Sequence, residues 1–255
     1  IKVKNITDVE NVRNNFKKLK IKSFSSANGG VAWLTKPELV KTLVDAGCTY
    51  ISFGFESASD KVLNEDIKKG QTRAHLQKTI DTIRSSGLRP ITTFMIGNPH
   101  ENINDLLETV DFWIQNDAEI DPFICTPYVG SPIFYDFKDY ILQQYDERLK
   151  LVNEGKFTAD EKSMKAWKLD AMDKFMKECG DAFEYTATVS QNFSIAELYA
   201  LKRFMYKQDT RRMVQFAYQR YEETGLEQWK VSDKWKKYDP VKIAEQELAE
   251  KIDTN

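Results

Sequence analysis

Thr49-Tyr50-Ile51-Ser52-Phe53-Gly54-Phe55, followed by Glu56-Ser57, is a short β-branched and aromatic run that stops on a carboxylate and a hydroxyl. Its composition predicts a strand over 49–55, and its polar ending predicts a loop of the kind on which enzymes carry their chemistry. Three other apolar runs end the same way, at Ser26-Ala27-Asn28-Gly29, Gly97-Asn98-Pro99-His100-Glu101 and Thr126-Pro127-Tyr128-Val129-Gly130. If the four runs are parallel strands, their C-terminal ends lie on one face, which gathers Asn28, Glu56, Glu101 and Thr126 around one site.

Between these runs the periodicity is helical, so residues 21–148 read as consecutive βα units with strands over 21–26, 49–55, 91–96 and 123–125. Thr35-Lys36-Pro37-Glu38 predicts a capping box and a first-turn proline, and Gly47 ends that helix. After Ser57 a short helical turn through Val62 and Leu63 leads to the break at Lys68-Lys69-Gly70. Thr72 caps a longer helix with Leu76, Ile80 and Ile83 on its inner face, and Gly87 ends it. The run 91–96 is almost wholly apolar, as expected of a strand covered on both faces. Asn102 caps a helix whose stripe is Leu106, Val110 and Trp113, and Ser131-Pro132 opens the next one. From about 139 onward the chain is rich in Lys, Glu, Asp, Trp, Tyr and Met with helical spacing and no convincing strand. Thr158-Ala159-Asp160-Glu161 and Ser194-Ile195-Ala196-Glu197 predict capped helix starts there. Leu198, Leu201, Met205, Met213 and Phe216 read as core stripes, and the last fifteen residues as an exposed, fraying helix.

At 255 residues and 41% hydrophobic content, the chain can bury one large core. Lys and Arg total 37 against 39 Asp and Glu, so nothing in the net charge of -2 draws the chain to nucleic acid or an anionic membrane. The basic clusters Arg211-Arg212 and Lys234-Lys236-Lys237 read as solvated helix faces. No apolar stretch approaches the roughly 18 residues of a membrane span, and no signal-peptide pattern is visible, so a cytoplasmic setting is expected. Cys48, Cys125 and Cys179 lack the spacing of a disulfide framework or metal loop, and Cys48 and Cys125 read as small core residues. His75 and His100 are the two histidines, too few for a histidine-based metal site. The first residue is Ile1 rather than Met, which suggests a piece of a longer protein.

Four places offer chemistry. Glu56, a carboxylate directly after a buried strand, needs a cationic or hydrogen-bonding partner; a ligand amine or ribose hydroxyl would serve, and so would a role capping the turn at 57–60. Lys69, before Gly70, can reach back over the strand ends to a ligand carboxylate, although an exposed lysine is the commoner outcome. The turn at Gly97–Glu101 offers close backbone approach and a helix N-terminus, or is simply a tight turn. The loop Thr126 to Pro132 holds a hydroxyl, an aromatic ring and two prolines, stiff enough to hold a flat ligand such as adenine, or is simply a rigid turn.

Taken in series, Asn28-Gly29, Ala46-Gly47-Cys48, Gly54-Phe55-Glu56-Ser57, Lys69-Gly70, Phe94-Met95-Ile96-Gly97-Asn98-Pro99-His100-Glu101 and Thr126-Pro127-Tyr128-Val129-Gly130-Ser131-Pro132 resemble the second half of a radical S-adenosylmethionine (SAM) core domain. The subgroup with an upstream cobalamin-binding domain is the most similar, reading G-I-E-S, K-G, G-L-P-G-E-T and T-P-Y-P-G-T-P in this order. The resemblance implies an α/β protein: a partial (βα) TIM-like barrel of about four parallel strands over residues 1–140, followed by an all-helical C-terminal extension over 141–255. It implies SAM bound against a [4Fe-4S] cluster and cleaved to a 5′-deoxyadenosyl radical, for methylation or rearrangement of a small-molecule substrate. Asn28, Glu56, Ser57, Lys69, Gly97, Glu101, Thr126 and Tyr128 are the implied cofactor-binding residues: Glu56 and Ser57 on the ribose or aminoacyl part, Lys69 on the carboxylate, and the last two loops beside the adenine and substrate.

Asn98, His100 and Asn102 replace the usual Leu, Gly and Thr, and Val129 replaces Pro. An extra residue after Leu63 leaves Lys68 as an alternative to Lys69. The C-x3-C-x2-C cluster loop has no counterpart here, so its ligands, the first barrel strands and any cobalamin domain are expected upstream of Ile1, in a missing N-terminal half, and the chain alone is expected to be inactive. Two other readings compete: a non-catalytic half-barrel scaffold that pairs its first strand with another chain, and an aldolase-like barrel with Lys69 as a Schiff-base lysine.

Overall fold

The computed structural model describes residues 6–20, 22–30, 36–128, 130–144, 188–240 and 243. The Thr35 cap, the capping box at 158–161, Cys179, Val129 and almost all of the fraying terminal helix lie outside the described residues. Four strands form a parallel sheet in the order β1-β2-β3-β4: β1 Phe24–Gly30, β2 Cys48–Glu56, β3 Ile91–Ile96 and β4 Glu119–Ile124. Helices α1 (Ile6–Lys18), α2 (Pro37–Asp45), α3 (Asp60–Val62), α4 (Arg73–Ser85), α5 (Ile103–Asn116) and α6 (Pro132–Asp136) alternate with the strands, and α7 (Ile195–Tyr206) and α8 (Thr210–Thr224) make the C-terminal region helical. The architecture is therefore the expected half-barrel of βα units with a helical C-terminal region.

The strand boundaries differ from the expectation by one residue at each end of β2 and by more at β1, which begins at Phe24 rather than Ile21, and at β4. β1 runs to Gly30 rather than stopping at Ser26: the register shifts after Ser26, which lies opposite Ile51, and pairing resumes with Gly30 opposite Phe53, so the small residues Ala27-Asn28-Gly29 make an irregular stretch that no apolar pattern marks. β4 begins at Glu119, four residues before the expected start at Phe123. Glu119, Asp121 and Pro122 are poor strand formers that hide its start, and proline is tolerated because β4 is an edge strand. β3 matches its expected span, but its residues alternate between buried and half-buried, so one face is covered more deeply than the other. The turn after Ser57 is longer than expected: α3 continues into a π-helical turn, Leu63–Ile67, which ends on Lys68 in a left-handed conformation.

By contacts the chain divides into two compact units. The first comprises Ile1–Phe94, Asn102–Phe123 and Phe204–Asn255. Its core is aromatic: Phe55 packs edge-on against Phe94 and Phe112 at 5.9 and 6.5 Å, and Phe94 against Trp113 at 4.4 Å. Leu76, Ile80, Ile83, Leu106 and Val110 are fully buried around it, as their spacing predicts. The second unit comprises Met95–Glu101 and Ile124–Arg203. Leu198 and Leu201 form its buried helix face, and Cys125 donates its amide to the carbonyl of Ile96.

Candidate functional site

The end of β2 is built around one ion pair. A bulge lets Gly54 pair with Thr93 and Glu56 with Phe94, so Phe55 is the extra residue. The Ser57 amide then donates to the Phe55 carbonyl at 2.9 Å across Glu56, whose φ is +68°. That is a γ-turn of the strained hand. The Glu56 carboxylate accepts from Lys69 Nζ at 2.7 Å, and the same ammonium donates to the Gly54 carbonyl at 3.1 Å. Both side chains remain partly open to solvent, 19% for Glu56 and 32% for Lys69. The lysine is brought there by the break after the π turn, where Lys68 and Gly70 both have positive φ. Gln71 follows and ties this segment to β2 by donating from Nε2 to the Phe55 carbonyl at 3.0 Å. Of the two candidate lysines, Lys69 is therefore the one at the strand end, and Lys68 is exposed.

Ser57 stands beside this pair but faces inward. It is fully buried, shares a 3.4 Å contact with the Thr109 hydroxyl and accepts from the Ser59 amide. Thr109 also accepts from the Ala58 amide at 3.0 Å, and Ser59 Oγ donates to Asp105 at 2.7 Å. Asp105 in turn completes the capping box with Asn102 and pairs with Lys61 at 3.2 Å. One face of α5 thus fixes the loop that presents Glu56. Sequence reading identified Asn102 but missed Asp105, Thr109 and Gln71. The Asn-x-x-Asp spacing at 102–105 and the four-residue step from Asp105 to Thr109 were the available signals.

In the second unit, the Gly97–Glu101 turn is satisfied from within. Glu101 is buried and accepts from the amides of Gly97 and Asn98 at 2.7 and 3.2 Å. Asn192 donates to the Glu101 carbonyl, and the Gln191 amide to that of Pro99. Gly97 has φ +78°, and a Cβ there would lie 2.7 Å from Leu198 Cδ1, so the group that approaches this glycine closely is a leucine of α7. The neighbouring loop leaves β4 with Thr126 donating to the Ile124 carbonyl and the Tyr128 amide donating across Pro127 to Thr126, while the Tyr128 side chain is 47% exposed. Because Cys125 bonds to Ile96, Gly97 and Thr126 leave adjacent chain positions. Asn28 lies within β1. The structure therefore brings Glu56 together with Lys69, and Gly97 with Glu101.

Among the described residues, no group of three or more His, Cys, Asp or Glu is placed to hold a metal ion. A cluster is held by thiolates, but burial pushes the Cys48 thiol up, which favours the protonated form, and its Sγ donates to the Tyr50 carbonyl. Cys125 is buried as well. These cysteines do not fit a [4Fe-4S] ligand set. No helix among the described residues is long and apolar enough to cross a membrane.

The family model described as the Radical SAM superfamily matches residues 5–112. Bacteriochlorophyllide d C-8(2)-methyltransferase of Chlorobaculum tepidum is 30% identical over 112 residues, covering 43% of this chain and 25% of that protein. An uncharacterized methyltransferase of Pyrococcus horikoshii is 33% identical over 98 residues, covering 38% of this chain and 21% of the relative. Among solved structures, the radical SAM methyltransferase TsrM of Kitasatospora setae, with tryptophan and a SAM analog bound, aligns at 16% identity and a TM-score of 0.40 over 55% of this chain and 26% of TsrM. The chain spans about a quarter of the length of the curated relatives it matches.

Proposed function

We propose that the chain supplies the SAM-facing second half of a radical SAM enzyme whose parent methylates or rearranges a small-molecule substrate. The observation that carries this reading is the Glu56–Lys69 pair at the C-terminal end of β2, inside the stretch that matches the superfamily. The pair offers a carboxylate and an ammonium side by side, both reachable from solvent. It complements the amino and carboxylate groups of an aminoacyl ligand, while the ribose remains a second candidate partner for Glu56. Ser57 contributes by holding the loop. Thr126 and Tyr128 are assigned to the adenine and substrate side and Asn28 to the end of β1, whereas Gly97 and Glu101 serve their own turn and the Leu198 contact. Methyl transfer is the favoured reaction because the relatives from Chlorobaculum tepidum and Pyrococcus horikoshii are methyltransferases by name. The cluster, which supplies the electron for SAM cleavage, and cobalamin are assigned to the rest of the full-length protein, and the cytoplasm is the assigned setting.

The test is calorimetric titration with S-adenosylhomocysteine, which needs no cluster chemistry. Lys69→Ala should weaken binding by about tenfold or more, the equivalent of one lost charge-assisted contact, and Lys68→Ala should leave it unchanged. Equal effects of the two variants would remove the assignment of Lys69.

The scaffold reading has the edge position of β1 in its favour. A stable stoichiometric dimer with no affinity for S-adenosylhomocysteine would select it. The Schiff-base reading loses ground because Lys69 is committed to a carboxylate, unlike the desolvated lysines that form imines.

A further inference from the structure

Gly54 lies inside β2, where its φ is outside the left-handed region and any residue would fit the backbone. Glycine weakens a strand interior, so its presence there calls for a reason in space rather than in conformation. A Cβ at position 54 would lie 2.7 Å from Glu56 Oε1, 3.5 Å from Glu56 Cδ and 3.3 Å from Lys69 Nζ. Those are its three nearest neighbours, and they are the two charged groups of the site.

We propose that Gly54 is a positioning residue: its missing side chain is the recess into which the Glu56 carboxylate folds back to meet Lys69. The proposal deepens the reading of the pair as the ligand-contacting element and rests on that reading only for its consequence in binding. The γ-turn at Glu56 directs the carboxylate back along β2, and the Lys69 ammonium bridges that carboxylate and the Gly54 carbonyl. Gln71 fixes the neighbouring segment on the Phe55 carbonyl, so the ammonium approaches from a set direction. The three atoms nearest a methyl group at 54 are at the ends of two flexible side chains. The carboxylate must therefore leave while the sheet stays.

The experiment uses the full chain labelled with 15N-lysine, in which the Lys69 ammonium resonance is assigned by its loss in Lys69→Arg. Wild type, Gly54→Ala and Glu56→Ala are compared at low temperature, with thermal unfolding and S-adenosylhomocysteine titration in parallel. Wild type should give a discrete, slowly exchanging Lys69 signal. Gly54→Ala should lose that signal as Glu56→Ala does, keep or raise its Tm, and bind the nucleoside about tenfold or more weakly. A Lys69 signal in Gly54→Ala that matches wild type would overturn the proposal. If Gly54→Ala does not fold, the double variant Gly54→Ala/Glu56→Ala decides: restored folding locates the clash on the Glu56 carboxylate, and continued failure locates it elsewhere and ends the idea. If the Lys69 signal moves as expected but wild type does not bind the nucleoside, the positioning role stands and the SAM reading falls.

Discussion

Glu56 combines a left-handed backbone with a partly buried charge, and a glutamate favours neither. Residues other than glycine held at such φ cost about 1–3 kcal/mol and persist where the surroundings over-determine them. Here the Lys69 ammonium, the bulge at Phe55 and the buried Ser57 supply that constraint. Asparagine accepts the same φ with less strain but cannot carry the charge. Glu56→Asn should therefore stay within about 1 kcal/mol of the parent in urea unfolding while S-adenosylhomocysteine binding is lost. A destabilisation above about 2 kcal/mol would mean that the ion pair serves the fold rather than a ligand. Glu56 and Lys69 were each legible in the sequence as candidates. Their pairing was not, because it depends on a backbone conformation that a glutamate does not announce. Gly97 was legible as a point of close approach, but the chain that approaches lies about a hundred residues downstream, beyond any local pattern.

At the level of elements, the signals that could be read were those made by neighbours in sequence. Thr72, Asn102, Ser131 and Ser194 cap as their spacing predicts, and His75 and Asp105 complete two of the boxes. Strand ends were less legible because β1 resumes its pairing at Gly30 only after an irregular stretch of small residues, and β4 runs through Asp121 and Pro122. The tie between α5 and the loop after β2 was not legible at all, since it joins residues about fifty positions apart. Thr109 is its centre: buried, it accepts from the Ala58 amide, contacts Ser57 and donates to the Asp105 carbonyl. Thr109→Val keeps the volume but leaves the Ala58 amide without its acceptor. It should cost about 1–3 kcal/mol of stability. Amide exchange should then rise first at residues 57–59, and uniform exchange across the first unit would show that α5 does not hold this loop.

At the scale of the whole molecule, the helical C-terminal region contributes to the barrel half rather than merely following it. Residues 204–255 cluster in the same unit as β1, β2 and α5. Asn104, on the outer turn of α5, donates to the Lys230 carbonyl and accepts from the Ser232 amide, and Lys234 pairs with Asp111 at 3.2 Å. Trp229 and Trp235 are almost completely buried there, with Trp229 edge-on to Phe216 at 5.4 Å. Surface hydrogen bonds and one exposed ion pair contribute little, so burial of the two indoles, Trp229 against Phe216 of α8, is the larger contribution to this segment's stability. Trp229→Ala should cost about 3–5 kcal/mol, because a buried indole cannot be replaced by collapse around alanine. Asn104→Ala should cost about 1 kcal/mol. Both are read from urea unfolding followed by circular dichroism. If the segment is integral, Trp229→Ala lowers the midpoint of the transition that also melts β2 and releases the Lys69 ammonium signal. An unchanged midpoint would make the C-terminal helices an accessory to an independently stable half-barrel, and the loop that presents Glu56 would then rely on the β strands and α5 alone.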